Sequence, residues 1–307
     1  QTCALPIFIS RGNSMSPILL TVGDSIDKAF YAFDMWVFHF FGSMQCDFLT
    51  DVAKFFTSFG DEAFTIPIVV LSIVLCFFKR TRKYGFAMLF AIIIGTLITN
   101  VAVKPTVLRI RPYNTLQENV DYWSWYIKAG ALSESDYSFP SGHTTAAVEV
   151  AFALFLCFRS DKKKIAWLFP CIALCTMGSR VYLMVHYATD VLGGLIVGVV
   201  SALIGYALMK LVMKIKVLEK IDAEKLFKKG IPNKVGIACI TVAVVAIFLY
   251  AFIPSLSEGG SDVDRCAYNG EYDCFNAAKV DDPDYPPIDG KNYCKIHWKM
   301  LQETVRS

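Results

Sequence analysis

The stretch of sequence that decides the fold is 84–112, which reads YGFAMLFAIIIGTLITNVAVKPTVLRIRP. Its first part, 84–103, is predominantly apolar, and about 20 such residues are enough to cross a bilayer as a helix. The run leads directly into Lys104, Arg111 and Pro112. Ionisable side chains beside a long apolar run are costly unless they have a function, so this end of the run is a candidate functional site.

The rest of the chain also has the composition of a membrane protein. Of its 307 residues, 55% are hydrophobic and 19% are charged, whereas a soluble domain has about 45–50% apolar and about 25% charged residues. The sequence therefore predicts an all-α, polytopic transmembrane helical bundle. The net charge of +3 says little about function because the charged residues are concentrated in particular loops. We expect no nucleic-acid partner. The further apolar runs are 63–78, 143–158, 165–178, 186–209 and 235–253.

Lysine and arginine are concentrated in three segments between the apolar runs, 79–83, 159–164 and 210–234. Short cytoplasmic loops carry the excess of positive charge in membrane proteins, so we expect these segments to be cytoplasmic. The opposite ends of the same runs then face outward. All three polar clusters of the sequence fall at those outward ends, which predicts a single extracytoplasmic site.

The second polar cluster is Pro140-Ser141-Gly142-His143, at the start of an apolar run. Glycine allows the backbone to approach a ligand closely. The first turn of the helix that follows would point free N–H groups at an anion. This cluster is therefore suited to hold a phosphate.

The third cluster contains Ser179-Arg180, His186 and Asp190. His186 and Asp190 are four residues apart, so they can share one face of a helix. A carboxylate there can take the Nδ1 proton of the imidazole and leave the other nitrogen ready to react. In the first cluster, Lys104 and Arg111 are seven residues apart, and we expect them to share one helical face as well.

These residue types suit the transfer of a phosphoryl group. We expect His186 Nε2 to attack phosphorus and form a phosphohistidine, Asp190 to orient His186, and His143 to protonate the leaving oxygen and then activate water. No cluster supplies the several carboxylates that a magnesium or two-metal site needs, so neither a metal nor another cofactor is predicted. The groups expected to hold the phosphoryl oxygens are Lys104, Arg111, Ser141, Gly142 and Arg180.

Together the clusters resemble the signature of the type 2 phosphatidic acid phosphatase superfamily: K-x6-R-P, P-S-G-H and S-R-x5-H-x3-D, with every defining position filled. The resemblance covers about 60–210. It implies a six-helix phosphatase core, to which 235–253 adds one extra C-terminal span. It also implies the roles given above and hydrolysis of a membrane lipid phosphate or diphosphate, such as phosphatidate, phosphatidylglycerol phosphate or polyprenyl diphosphate. With a bacterial source, the enzyme would lie in the plasma membrane; its oligomeric state is not indicated.

Three other functions fit parts of the pattern. A vanadate-dependent haloperoxidase shares the motifs, but those enzymes resemble soluble proteins. A sugar-phosphate phosphatase of the same superfamily is a closer rival. A non-catalytic carrier of phospholipid or polyprenyl phosphate would need the cations alone, and the presence of His143, His186 and Asp190 argues against it.

The sequence divides into six predicted regions. The first seven residues resemble a translated sequencing adapter, which makes Met15 the expected native start. Residues 27–43 contain Asp34 and His39 within an aromatic run, so this segment spans or lies in the interface, and we favour spanning. The regions are 1–14, a non-native or disordered N-terminus; 15–62, a first span or amphipathic and interfacial helices; 63–210, the phosphatase core; 211–234, a basic cytoplasmic linker; 235–253, the extra helix; and 254–307, an extracytoplasmic tail containing cysteines.

The tail contains Cys266, Cys274 and Cys294, and Cys46 is expected on the same outward side. Because an oxidising compartment permits disulfides, we expect at least one bridge within the tail, with Cys46 as a candidate partner for the third thiol. The rival interpretation is a zinc site, since Cys294 and His297 have the spacing C-x2-H. A tail with three free thiols is the third alternative.

Overall fold

The computed structural model describes residues 21–226, 232–257, 266–268, 274, 276, 278–280 and 282–306. The N-terminal region predicted over 1–14 lies outside these residues, as do parts of the predicted linker and tail. The described chain is helical, and its only β-structure is an isolated bridge between Ile288 and Lys291. The α-helices are α1 Val22–Ser43, α2 Asp47–Thr57, α3 Glu62–Cys76, α4 Arg82–Thr96, α5 Lys104–Val107, α6 Pro112–Thr115, α7 Val120–Lys128, α8 Gly142–Ser160, α9 Leu168–Tyr182, α10 Ala188–Val212, α11 Asn233–Ser257 and α12 Lys295–Arg306.

Short helical turns complete several of these elements. A π-helix continues α4 and connects it to α5. The 3₁₀ turns follow α2, precede α9 and lie between α10 and α11. These segments are the π-helix Leu97–Val103 and the 3₁₀ turns Ser58–Gly60, Lys164–Trp167, Lys216–Lys220 and Ala223–Leu226.

Four helical segments in the described chain are long and apolar enough to cross a membrane: Arg82–Thr115, Lys164–Tyr182, Ala188–Val212 and Lys234–Ile253. The pair Asp47–Gly60 and Glu62–Cys76, bent by 40°, is a fifth if it counts as one span. Helices α1 and α8 are not among these spans, although both pack in the bundle. The predicted all-α, polytopic bundle is confirmed.

The centre of the bundle is the contact of α10 with α4 and α8. Small residues allow these helices to approach closely, as is common in membranes. A Cβ atom on Gly205 would lie 2.7 Å from the backbone nitrogen of Ala91, and a Cβ atom on Gly198 would lie 2.7 Å from Val148. Either substitution would push α10 away from its neighbours.

The predicted cytoplasmic segments meet at one end of the bundle. The guanidinium of Arg82 donates to the carbonyl oxygens of Leu218 and Ile221. Lys83, beside it, pairs with Asp161 in the turn before α9. Basic residues from three separate loops therefore share the end that lies opposite the three polar clusters.

At the other end, the chain does not continue as a regular helix through the first cluster. Helix α5 ends at Val107, and Leu108 has a left-handed backbone with φ of 56°. A residue with a branched side chain adopts this conformation rarely. Arg111 is extended and precedes α6, as expected for a residue before proline. The prediction that Lys104 and Arg111 share one helical face is therefore wrong, because the backbone turns between them.

Helix α11, the extra span, packs on the outside of the bundle against α2, α3 and the turn Ser58–Gly60. The ring of Phe248 contacts Phe55, Phe59 and Phe64. The tail that follows reaches the end of the bundle that holds the polar clusters, where the backbone N–H of Lys295 donates to the carbonyl oxygen of Ser135 at 3.1 Å.

Candidate active site

The three polar clusters converge on one cavity of about 310 Å³. Five predicted site residues line it: Lys104, Arg111, Gly142, His143 and His186. The other three lie behind its wall. Ser141 caps α8 by accepting a hydrogen bond from the backbone N–H of Thr144, while Arg180 and Asp190 contact residues that line the cavity.

His186 lies in the short connection between α9 and α10 and is 1% exposed. Its Nε2 atom is 3.0 Å from Arg111 Nη1. Because a guanidinium can only donate, Nε2 is the acceptor and Nδ1 carries the proton. Burial, with Arg111 and Arg180 nearby, holds the pKa of His186 well below its ordinary value. The imidazole is therefore neutral, with a lone pair on the nitrogen that faces the cavity.

Asp190 lies behind His186 and accepts hydrogen bonds on both oxygens. Its Oδ2 atom is 3.4 Å from His186 Nδ1 and also accepts from the backbone N–H of Tyr187 at 3.0 Å and from the hydroxyl of Ser138. Its Oδ1 atom accepts from Arg109 Nη1 at 2.6 Å. These contacts fix the carboxylate where it holds the Nδ1–H tautomer of His186.

Arg109 connects this carboxylate to helix α1. Its guanidinium is fully buried and also pairs with Asp34 at 2.9 Å and Asp27 at 2.7 Å, while Thr189 donates to Asp34 at 2.8 Å. The sequence prediction omitted this network. The signal was present, because Arg109 and Asp34 are both ionisable residues within or beside apolar runs, the criterion that identified the three clusters.

Two carboxylates on the loop before α8 also face the cavity and were missed. Asp136 pairs with Lys104 and with Arg111, the latter at 2.6 Å. Glu134 pairs with Arg180 at 2.5 Å. The cations predicted to hold phosphate therefore have carboxylate partners in this structure.

These pairs control the ionisation of the two carboxylates. Burial alone would raise the pKa of Glu134, but His143, Arg180 and Arg111 outweigh burial and lower the pKa to about 2. Burial likewise opposes ionisation of Asp136, and Lys104 and Arg111 lower its pKa. Both side chains are thus anionic at neutral pH.

His143 occupies the first turn of α8, on the cavity wall. Its Nδ1 and Nε2 atoms each lie 3.7 Å from a carboxylate oxygen, of Glu134 and Asp61 respectively. Gly60 brings the turn before α3 against this residue, since a Cβ atom there would be 2.3 Å from the His143 carbonyl oxygen. The ring is therefore held at the cavity wall between two carboxylates, which can orient it for proton transfer.

Aromatic residues of α7 pack next to the connection that carries His186. Tyr122 and Tyr126 are fully buried, and Tyr113 stacks on Tyr126 with ring centroids 5.2 Å apart. The hydroxyl of Tyr122 donates to the carbonyl oxygen of Met184, two residues before His186. These tyrosines therefore support the segment that carries His186.

The arrangement can perform phosphoryl transfer by a histidine nucleophile. It contains a neutral imidazole that is held by Asp190 and lies beside Arg111, and a second imidazole that lies between Glu134 and Asp61. Of the five carboxylates that line the cavity, three face a basic side chain: Asp61, Glu134 and Asp136. The other two are Glu62 and Glu149.

Comparison with known proteins shows the family to which the chain belongs. The family model of the PAP2 superfamily matches residues 83–214, which hold all three clusters. Phosphatidylglycerophosphatase B of Bacillus subtilis is 34% identical over 158 residues, covering 49% of this chain and 70% of that protein. The undecaprenyl-diphosphatase of Sulfolobus acidocaldarius is 29% identical over 170 residues, covering 54% of this chain and 73% of that protein.

Among the solved structures that match is a transmembrane PAP2 type phosphatidylglycerolphosphate phosphatase from Bacillus subtilis. Its TM-score is 0.49 and its identity 27%, and the match covers 62% of this chain and 90% of that one. The residues beyond 214, including α11 and the tail, lie outside the family-model match.

Proposed function

Because the chain belongs to the PAP2 superfamily, we propose that its site hydrolyses the terminal phosphate of a membrane lipid through a phosphohistidine on His186. The chain is an integral membrane hydrolase of phosphoric esters, as the sequence predicted. The observation that carries the residue assignment is the pair of contacts on one imidazole: Nε2 towards Arg111 and the cavity, Nδ1 towards Asp190.

The first half of the reaction forms a bond between His186 Nε2 and phosphorus while the bond from phosphorus to the leaving oxygen breaks. His143 gives its proton to that oxygen. Asp190 stabilises the positive charge that develops on His186. In the second half, His143 takes a proton from water, the water oxygen attacks phosphorus, and inorganic phosphate leaves with His186 restored.

The cations stabilise the charge on the phosphoryl oxygens in both steps. In the structure Arg111 donates to Nε2, so it occupies the lone pair that must attack. A bound phosphate offers Arg111 better acceptors, and its arrival frees the lone pair at the moment the substrate is present. The same cavity is lined by Lys104, Gly142 and the first turn of α8. Arg180 lies behind the wall and pairs with Glu134, which lines the cavity.

A lipid substrate is favoured over a sugar phosphate by the position of the cavity. Its wall includes Gly95, Thr96, Thr99 and Asn100 from the membrane-spanning segment Arg82–Thr115. The reacting groups thus lie beside transmembrane helices, where a lipid headgroup is available. Relatives act on phosphatidylglycerol phosphate and undecaprenyl diphosphate by name, and we include phosphatidate in the substrate class.

We also propose that the cavity faces the extracytoplasmic side of a bacterial plasma membrane. The basic segments around Arg82, Lys83 and Lys214 lie at the opposite end of the bundle, and the positive-inside rule places such segments in the cytoplasm.

Phosphate release from purified protein in detergent tests the proposal. The panel is phosphatidate, phosphatidylglycerol phosphate, undecaprenyl diphosphate and glucose 6-phosphate, each with wild type and with His186→Ala. We expect release from at least one lipid, little from the sugar phosphate, and none with the variant. Preferred release from the sugar phosphate would select the alternative enzyme, and lipid binding without release would select the carrier.

A further inference from the structure

Three cysteines and a histidine of the C-terminal tail meet at one point, although 31 residues separate the first from the last. The four residues are Cys266, Cys274, Cys294 and His297, and one ligand atom from each lies within 4.8 Å of the others. All four are buried, with Cys294 at 0% and His297 at 3% exposed. This cluster lies outside the family-model match and takes no part in the chemistry described above.

The spacing of these atoms fits a tetrahedral metal site. His297 Nδ1 is 3.4 Å from Cys266 Sγ and 3.4 Å from Cys294 Sγ. Zinc bonds of about 2.3 Å to sulfur and about 2.0 Å to nitrogen, at a tetrahedral angle, separate the two ligand atoms by about 3.5 Å. The cluster therefore has the dimensions of a ligand set around one ion.

Hydrogen bonding and disulfide formation explain the cluster less well. One imidazole nitrogen has a single proton or a single lone pair, yet two sulfurs lie at equal distance from Nδ1. The cysteines in the described part of the chain form no disulfide, contrary to the bridge expected from sequence, and Cys46 is not in the cluster. Three thiols could in any case form only one bridge and would leave one thiol buried.

We propose that Cys266, Cys274, Cys294 and His297 bind one Zn²⁺ in a closed, structural site that fixes the tail against the active-site loop. Three thiolates and one imidazole are a standard structural zinc set. Neighbouring groups complete it: Asn276 Nδ2 donates to Cys294 Sγ at 3.5 Å, and the ring of Tyr268 stacks on His297. Outer contacts of this kind orient ligands and offset the charge of the thiolates.

The site lies where it can act on the catalytic cavity. Asn276 Oδ1 accepts from the Tyr113 hydroxyl at 3.1 Å and from Asn114 Nδ2 at 2.9 Å, in the turn directly after Arg111. The backbone of Lys295, next to ligand Cys294, binds Ser135 between Glu134 and Asp136.

Two tail lysines, Lys279 and Lys295, line the cavity itself. Lys279 also pairs with Asp282 at 3.6 Å. The zinc would therefore hold two lysines at the cavity wall and fix the loop that pairs with the phosphate-binding cations. Because these lysines attract an anionic substrate, losing the zinc should weaken substrate binding more than it slows the chemistry.

Metal analysis of the purified full-length protein tests this site without reference to activity. We expect about one zinc per chain in wild type and in the control variant Cys171→Ser, whose thiol is exposed on α9, and almost none in Cys294→Ser or His297→Ala. Cobalt exchanged into wild type should give thiolate-to-metal charge transfer and the visible bands of a tetrahedral ion.

Several outcomes would overturn the proposal. Wild type without zinc, with the tail thiols alkylated or joined in a disulfide by mass spectrometry, would reject the site, as would stoichiometric zinc in both ligand variants.

The effect on the cavity, which rests on the proposed function, is tested separately. His297→Ala should raise KM for the preferred lipid several-fold with kcat nearly unchanged, and an unchanged KM despite lost zinc would reject the contribution of the tail to substrate binding.

Discussion

Arg109 Nη1 lies 2.6 Å from Asp190 Oδ1, on the side of the carboxylate opposite His186. Both residues are buried, so the pair is shielded from solvent and its geometry is fixed by packing. One guanidinium thus connects the orienting carboxylate to Asp34 on α1. The first helix of the chain, which contributes no residue to the cavity, acts on the nucleophile through this contact.

Replacing Arg109 with Lys should slow turnover without weakening substrate binding. Lysine keeps the positive charge, but its single ammonium group cannot pair with three carboxylates as the planar guanidinium of arginine does. We expect kcat to fall by about 10- to 100-fold, as for other partners that orient a reacting group, with KM within about twofold. The control Arg159→Lys, an exposed position at the end of α8, should leave both constants unchanged. A rise in KM with unchanged kcat would show that Arg109 does not act through Asp190.

Asp190→Asn should have a larger effect of the same kind. The amide keeps the shape of the carboxylate, but it loses the charge that stabilises the imidazolium and favours the Nδ1–H tautomer of His186. We expect kcat to fall by at least about 100-fold while vanadate, which resembles the phosphoryl transition state in shape, still binds to folded protein. Equal losses in kcat and in substrate affinity would mean that Asp190 is structural.

Asp136→Asn should strengthen anion binding. Lys104 and Arg111 both pair with this carboxylate, so an incoming phosphate competes with it for the same cations. Removing its charge should lower the inhibition constant for vanadate several-fold. Asp121→Asn, an exposed acid in the first turn of α7, is the control. A weaker inhibition by vanadate in Asp136→Asn would instead show that the carboxylate is needed to hold the cations in place.

Glu134 should make the folded state sensitive to acid. Its pKa in the folded protein is about 2, against 4.5 for an unperturbed glutamate. A lowered pKa means that its ion pairs stabilise the fold above about pH 4.5 and that this stabilisation is lost as the pH falls towards 2. Glu134→Gln should therefore lower Tm at pH 7 and have a smaller effect at pH 4. Glu118→Gln, an exposed acid, should show no such trend, and an effect of Glu134→Gln that grows at low pH would contradict the assignment.

Turnover should continue in EDTA without added magnesium. The reacting groups are two imidazoles, and two of the carboxylates on the cavity wall, Glu134 and Asp136, are paired with Arg180 and Arg111. The proposed tail zinc is held by four buried residues and is not needed for the chemical step. Phosphate release measured after dialysis against EDTA checks this. Activity that is lost in chelator and returns with magnesium would overturn the metal-independent mechanism.

Much of the site could be predicted from sequence because charge is costly beside apolar runs. That cost made Lys104, His143, His186 and Asp190 stand out, and basic loops indicated that they share one end of the bundle. The structure brings these residues together at one cavity.

Features that depend on irregular backbone could not be predicted in this way. Glu134 and Asp136 lie in a loop without periodic spacing, so nothing in the sequence indicated that they face Arg180 and Arg111. The helical spacing assumed for Lys104 and Arg111 does not hold, because the left-handed backbone of Leu108 ends the helix between them. The sequence shows how many cysteines the tail contains but not how they are arranged in space. Their number favoured a disulfide, whereas the structure brings the three thiols next to His297.

The measurement that tests the central claim most directly is the position of the phosphoryl group on the trapped enzyme. Wild type is mixed with lipid carrying a labelled terminal phosphate, quenched in alkaline detergent to preserve phosphoramidate bonds, digested and mapped by mass spectrometry. We expect the label on His186 in wild type, more of it in His143→Ala because hydrolysis of the intermediate is slowed, and none in His186→Ala. Label on His143, on Ser141 or on a carboxylate would contradict the mechanism.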